Sequence, residues 1–457
     1  SLTAEKDGKS IILSGIAVHS LAQTALVCLK LLADPEKQLA SIEYWIMGSL
    51  NGISLYSIGG NIALCLICLV GMFLLYRQIL LLSLDDQEGR LLGVNVTQIR
   101  LIVLLIATLA ASSVISMTGL ISFISLLAPH GARLLFKNNR LSTMLFSGRM
   151  PFDARRYFCP QHRFYRTASK YFYQFARRAV LNLSLYQEET TAMNLLTVTN
   201  LSAGYAGKQV IKDISFFVAP KTIVGILGAN GCGKTTLIKA IANLLPHTGS
   251  CQLDDTYLEN ASPRQLALLC GYIPQKSGIS IDLTLLDVVL MGFNPKLSLL
   301  QSPTEQMKKE AFDALCSVGL GSRKDDNFQQ LSEGQKQLCL LARTFVLKRR
   351  LLLLDEPESA LDFRLRYETM GLLRTYVAKN NAAALVTLHD PSLALNYCDT
   401  LLVLSDCGLL GELQPFSTPI SKMEPLLSSI YGTISLTTLS TRRGEKRLIM
   451  IKEDDAC

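Results

Sequence analysis

Three apolar runs in the first third of the chain leave few choices for how it folds. "IILSGIAVHSLAQTALVCLKLLA" (11–33), "SIGGNIALCLICLVGMFLLY" (57–76) and "LIVLLIATLAASSVISMTGL" (101–120) are nearly free of charge. Each is about 20 residues long, the length a helix needs to cross a ~30 Å hydrocarbon core. A soluble core can bury one such helix; three in succession predict membrane spans. A fourth stretch, "ISFISLLAPHGARLL", is shorter, ends in Pro, His and Arg, and is expected to lean into an interface. Arg77, Arg90 and Arg100 lie between the second and third runs, against only Lys37 in the 34–56 loop. That asymmetry predicts a cytoplasmic 77–100 segment. Cys65 and Cys68 form a C-x-x-C inside "NIALCLICLV", where apolar helix filling is the better reading than a metal or redox site.

At 457 residues the chain has room for two or three domains. It is 49% hydrophobic and 18% charged, but the apolar excess sits in the first third, and residues 193–457 alternate apolar and charged residues like a soluble α/β domain. Cysteines there (Cys232, Cys251, Cys270, Cys316, Cys339) are scattered singly, as free thiols in a reducing compartment would be.

Within that half, "TIVGILGANGCGKTTLIKAIANLL" reads as strand, Gly-rich turn, helix. Gly228, Gly231 and Gly233 with Lys234 and Thr235 fit G-x-x-x-x-G-K-[ST]. The glycines let backbone N–H groups turn inward around phosphate oxygens, and the helix N-terminus adds a favourable dipole. Lys234 is expected at the β- and γ-phosphates and the Thr235 hydroxyl on Mg²⁺; Asn230 and Thr236 complete the nucleotide-binding loop. "RLLLLDEP" is a continuous apolar run ending in two carboxylates, as a buried parallel strand would. Asp355 suits a Mg²⁺ contact, and Glu356 suits polarising the water that attacks the γ-phosphate.

Further segments carry a resemblance. Tyr205 in "LSAGYAGKQV", Gln275 in "GYIPQ", Ser332, Gly334 and Gln335 in "LSEGQ", Asp362 in "SALD" and His389 in "VTLHD" follow the order of the ATP-binding-cassette ATPases. The resemblance implies adenine stacking by Tyr205, sensing of Mg²⁺ and water by Gln275, and a γ-phosphate contact from His389. It also implies that Ser332, Gly334, Gln335 and Asp362 act in trans on ATP held by a second copy, in a homodimer sandwich. In the first half, "LADPEKQLASIEYWIMGSL", "LLSLDDQEGRLLGVNV" and "GLISFISLLAPHGARLL" resemble the permease of importers for iron-siderophore, haem and cobalamin. That resemblance implies docking of Asp85 to Val94 on the ATPase, full-length permease subunits and an extracytoplasmic substrate-binding protein as partners, and a cell-membrane location with the ATPase on the cytoplasmic side. It also implies a missing amino-terminal part of the permease. Glu333 departs from the usual L-S-G-G-Q; because Ser332 still suits a helix N-cap ahead of an apolar run, harmless variation is expected.

Between the halves, residues 149–178 hold eight Arg or Lys against Asp153, plus nine aromatics. Eight charges cannot be the permease's last spans, and no nucleic-acid motif accompanies them, so no nucleic-acid partner is expected. Back-translated and read one base later, residues 149–161 and 170–186 allow "ACLLMLADIFAR" and "SIFISLLGAPFLIYLY", which look like the missing helices. Met193-Asn194 must be ATG-AAY, which in that frame contains TGA. Residues 149–192 are therefore expected to be largely out-of-frame sequence joining two genes.

The expected architecture is mixed: an α-helical transmembrane permease fragment (1–147), a basic, aromatic linker (148–192), and an α/β P-loop ATPase (193–457) with a helical subdomain over 276–345. "ISLTTLSTRRGEKRLIMI" is expected as a terminal hairpin turning at "RRGE". The expected activity is Mg²⁺-dependent ATP hydrolysis coupled to chelate import. The alternatives are a non-transporting remnant that binds ATP and an ATPase acting on a soluble assembly.

Overall fold

The computed structural model describes residues 2–34, 42, 55–118, 194–205, 208–405, 408–441, 444 and 446–453. The fourth apolar stretch, most of the 34–56 loop and the basic block with its join at Met193 lie outside the described residues.

The apolar runs are helices: α1 (Leu2–Leu32), α2 (Leu55–Leu74) and α5 (Val96–Thr118). Ser14–Leu32 and Val96–Ser116 are each long and apolar enough to cross a membrane. Ile16, Leu21, Leu31, Leu101 and Leu105 on them are exposed, an arrangement that suits a lipid environment. Between α2 and α5, Asn61 Nδ2 donates to Ser116 Oγ (3.1 Å) and Ser113 Oγ to the Asn61 carbonyl (2.7 Å), polar contacts of the kind that join helices in lipid. Cys65 and Cys68 are free.

The second run forms α2 over most of 57–76, and together with the helix after it makes a bent pair that counts as a third candidate span if read as one. α2 stops at Leu74, and after Leu75 the chain bends by 64° into α3 (Tyr76–Leu82). Contacts with the ATPase account for the turn. Arg77 donates to the carbonyls of Gln301 (2.5 Å) and Ser298 (2.8 Å), and Leu80 and Leu81 are buried in the same core as ATPase side chains. The next helix, α4 (Asp86–Leu91), begins the segment expected to dock, and it does. Leu92 and Val94 join that core, and Asn294 Nδ2 donates to the Leu92 carbonyl at 2.8 Å. The Arg-bearing 77–100 segment therefore lies on the ATPase side.

Among the described residues the C-terminal domain has two larger sheets and a two-stranded hairpin. The first runs β1 (Leu196–Tyr205), β2 (Lys208–Val218), β4 (His247–Leu253) and β5 (Thr256–Tyr257), antiparallel in the order β2-β1-β4-β5. The second is built on β3 (Ile223–Gly228), β6 (Cys270–Ile273), β7 (Leu351–Asp355), β8 (Ala383–Thr387), β9 (Thr400–Ser405) and β10 (Gly408–Leu413), in the order β10-β9-β3-β8-β7-β6. All neighbours in it are parallel except β10 and β9. β3, β7 and β8 are buried at every residue, as strands covered on both faces must be.

Helices α6 (Lys234–Ile241), α7 (Pro263–Leu269), α8 (Leu285–Leu290), α9 (Glu305–Ser317), α10 (Glu333–Phe345), α11 (Phe363–Asn380), α12 (Pro391–Tyr397) and α13 (Ile420–Tyr431) complete the domain. α8, α9 and α10 pack together as a helical layer around Phe293 and Phe328. Thr284, Thr304 and Ser332 accept from backbone N–H groups at their starts, which fixes where each helix begins. The terminal hairpin forms from β11 (Ile434–Ser440) and β12 (Lys446–Lys452), pairing Ile434 with Lys452 and Ser440 with Lys446.

Candidate nucleotide site

β3 ends at Gly228, and α6 starts at Lys234 behind Gly233. Two glycines of this turn have no room for a side chain. A Cβ on Gly228 would sit 2.5 Å from Cys232 Sγ and 2.7 Å from the Leu404 carbonyl oxygen. Gly233 has φ +104°, and a Cβ there would lie 2.5 Å from Ile211 Cγ2. Both the backbone conformation and the space exclude a side chain. Asn230 and Gly231 are exposed at the rim, and Thr236 is buried in the first turn of α6. The buried Lys234 ammonium donates to the carbonyls of Gly228 (2.9 Å) and Ala229 (3.1 Å), so it is held over the loop mouth.

Thr235 Oγ1 donates to Asp355 Oδ1 at 3.0 Å, joining the loop to the end of β7. Thr387, on the adjacent strand in register with Asp355, donates to the same oxygen at 3.0 Å. Burial raises the Asp355 carboxyl above its ordinary value, and the two threonine hydrogen bonds pull against that shift. A hydroxyl beside a carboxylate is a donor set suited to a hard divalent cation.

Glu356 has φ +50°, and its N–H donates to Thr387 Oγ1 at 2.7 Å. Its carboxylate accepts from Gln275 Nε2 and lies 2.5 Å from His389 Nε2. Residues from three strand ends, β6, β7 and β8, thus converge on one carboxylate. Tyr205, at the end of β1, is 43% exposed, which leaves its ring open to a partner.

Ser332, Gly334, Gln335 and Asp362 stand at two other helix starts. Ser332 and Gln335 cap α10 reciprocally, and Asp362 Oδ1 accepts from Leu365 N at 2.8 Å at the start of α11. Gly334 passes close to the next segment: a Cβ there would lie 3.2 Å from the Ala360 carbonyl oxygen. Glu333 points outward to Lys336 (2.8 Å) with its side chain 71% exposed.

Sequence reasoning missed Thr387 and Glu358. Glu358 Oε1 accepts the His389 N–H at 2.8 Å and so fixes the turn that carries the imidazole, while its Oε2 is buried without a hydrogen bond. Burial raises its carboxyl above the ordinary glutamate value, against the His389 hydrogen bond. An extra acidic residue between Asp355 and Asp362 was the available signal.

Comparison with known proteins agrees with this geometry. Residues 1–150 match the FecCD transport family and residues 211–359 the ABC transporter family. The chain is similar to a Helicobacter pylori protein named "Probable iron chelatin transport ATP-binding protein", with 37% identity over 244 residues, 52% of this chain and 93% of the relative. It is similar to the Hemin import ATP-binding protein HmuV of Bordetella parapertussis at 34% identity over 247 residues, 52% of this chain and 92% of the relative. Its fold is similar to a chain of an inward-facing metal-chelate type ABC transporter structure, with a TM-score of 0.50 and 23% identity, covering 57% of this chain and 98% of that one. Its apolar helices and its FecCD-like segment associate it with membranes. The chain belongs to the ABC transporter family: an ATP-binding, ATP-hydrolysing domain preceded by a FecCD-like permease region.

Proposed function

We propose that this chain is the ATP-hydrolysing component of an importer for a metal chelate of the iron-siderophore, haem or cobalamin class. On this reading its permease region lies in the cell membrane and its ATPase on the cytoplasmic face. The observation that carries the proposal is the burial of α3 and α4, from the permease region, in the core of an ATPase whose catalytic groups converge. The iron chelatin and hemin in the relatives' names support the substrate class.

In the reaction, the backbone of Gly228 to Thr235 cradles the phosphates of ATP, Lys234 leaves its carbonyl partners for the β- and γ-phosphates, and Tyr205 stacks on adenine. Mg²⁺ fits the Thr235–Asp355 oxygen pair and, when bound, supplies charge neutralisation at the phosphates. Glu356 orients and polarises the attacking water, with His389 toward the γ-phosphate and Gln275 between that water and the docked segment. A second copy supplies Ser332, Gly334, Gln335 and Asp362, closing the phosphate site in a homodimer. Full-length permease subunits and an extracytoplasmic substrate-binding protein complete the transporter.

Uptake of labelled ferric siderophore or haem tests this in cells lacking their own importer. We expect uptake when the chain is supplied with a full-length permease and a binding protein. No uptake of either chelate, or of labelled cobalamin, in that reconstituted system would sink the importer reading. Among the described residues two helices, or three if the bent pair is one span, can cross a membrane. A second reading for the chain alone is a remnant that binds ATP without transporting.

We further propose three regions: a permease fragment (1–147), an out-of-frame join (148–192) and the ATPase (193–457), with its helical subdomain over 276–345. Resequencing the DNA across codons 140–195 is expected to restore a permease frame whose TGA overlaps the ATG of Met193. An unchanged sequence, with the full-length fusion present in cell membranes, would overturn the join.

A further inference from the structure

We propose that His247, Cys251 and Glu259 form a binding site for one divalent transition cation of the zinc class. His247 and Cys251 lie on β4 on either side of Gly249, whose φ of +89° bends the strand, and their side chains come together. Glu259 sits on the 3₁₀ turn Leu258–Asn260, which folds back over that face after the β4–β5 hairpin. Asn243 holds the turn there, with Nδ2 donating to the carbonyls of Leu258 (3.1 Å) and Glu259 (3.3 Å). One ligand atom from each of the three side chains lies within 4.8 Å of the others.

The imidazole points to a ligand. His247 is 4% exposed through its side chain, and Nδ1 lies 2.9 Å from the Leu245 carbonyl oxygen. A carbonyl only accepts, so Nδ1 carries the proton and Nε2 presents a lone pair. That buried Nε2 has no hydrogen-bond partner, and the Glu259 Oε1 facing it, 3.6 Å away, is itself an acceptor. A histidine whose far nitrogen is fixed by a carbonyl while the near one is aimed at a thiol and a carboxylate has the arrangement of a metal ligand. Glu259 Oε1 also accepts the Cys251 N–H, which holds the carboxylate against β4.

The donor set selects the metal class. One nitrogen, one sulfur and one oxygen suit zinc, whereas Mg²⁺ and Ca²⁺ prefer oxygen alone. A tetrahedral zinc site spaces its donors roughly 3.3–3.9 Å apart, so the three groups need to close by up to about 1.5 Å. Glu259 is 26% exposed through its side chain, which gives the ion a path in and leaves room for a water as fourth ligand. Burial beside Glu259 pushes the Cys251 thiol up to about 12, so binding releases a proton. The cation clips β4 to the turn that follows it; it shares no ligand with the Thr235–Asp355 pair and is independent of the transport reading.

The test is titration of the full-length chain, in detergent, stripped with a chelator and kept reduced, with Zn²⁺ against a chromophoric competitor and with Co²⁺ followed by absorbance. We expect one tight zinc equivalent per chain and a tetrahedral cobalt spectrum with a thiolate-to-metal band. Cys251→Ser should abolish that band and weaken zinc binding at least tenfold, while Cys65→Ser with Cys68→Ser leaves both intact. Glu259→Gln lies on the solvent side and keeps the proposal testable where a core variant fails to fold; it should weaken zinc binding with ATP binding retained. Zinc held equally by wild type, Cys251→Ser and Glu259→Gln, or no stoichiometric zinc in wild type, would overturn the site and leave a buried histidine beside a carboxylate.

Discussion

Glu356→Gln is expected to lower ATP hydrolysis by about 10²–10⁴-fold, the range for loss of a general base, while ATP binding changes little. The carboxylate sits between Gln275 and His389, and its backbone is fixed by Thr387. Glutamine preserves the size and the anchoring N–H but removes the charge that polarises water. The phosphate cradle, Lys234 and the Thr235–Asp355 pair do not depend on that charge, so nucleotide still binds. Phosphate release and equilibrium binding of labelled ATP, measured on both proteins, separate the two effects. Equal hydrolysis rates would remove Glu356 from the mechanism.

The second large effect is expected where the permease region meets the ATPase. Glu88 on α4 is 4% exposed, and Arg343 on α10 is 3% exposed; Arg343 Nη2 donates to Glu88 Oε1 at 3.3 Å. The other carboxylate oxygen accepts from Gly278 N at 3.0 Å, three residues beyond Gln275. Removing one member of a buried pair strands the other charge and costs about 3–5 kcal/mol. Glu88→Ala should therefore destabilise docking by that order. Replacing both Glu88 and Arg343 with Met should recover much of the loss, because no charge is left without a partner. Thermal unfolding and limited proteolysis of the detergent-solubilised chain, run as a double-mutant cycle, measure the coupling. Single variants that each shift stability by less than about 0.5 kcal/mol, the range of an ordinary surface change, would show that the pair does not hold the interface.

Legibility in the sequence followed how local each feature is. The phosphate loop could be read because strand, glycines, lysine and helix are consecutive, and the fold left Gly228 and Gly233 no room for a side chain. The Ser332 cap and the terminal hairpin were legible for the same reason. The end of the second run near Tyr76 was legible, because Arg77 and Gln78 close the apolar stretch, but the 64° bend into α3 was not. Only the carbonyls of Ser298 and Gln301, more than 200 residues away, give Arg77 a reason to turn there. Thr387 looked like filling in "VTLHD" until β7 and β8 lay side by side with Asp355 opposite it. Cys251 read as a scattered thiol because Glu259 reaches it only through the β4–β5 hairpin and its following turn.

By itself, the sequence determined the family, the phosphate-binding loop, the acidic strand end and the presence of apolar spans, because motif spacing and hydrophobic period act between near neighbours in the chain. Tertiary structure decided which strand ends meet on Glu356, that Glu88 is buried against Arg343, and that α3 leaves the line of its span to pack on the ATPase. Those outcomes depend on burial and on charge pairing between segments far apart in sequence. Their energies exist only once the segments are in contact, so no local pattern in the chain encodes them.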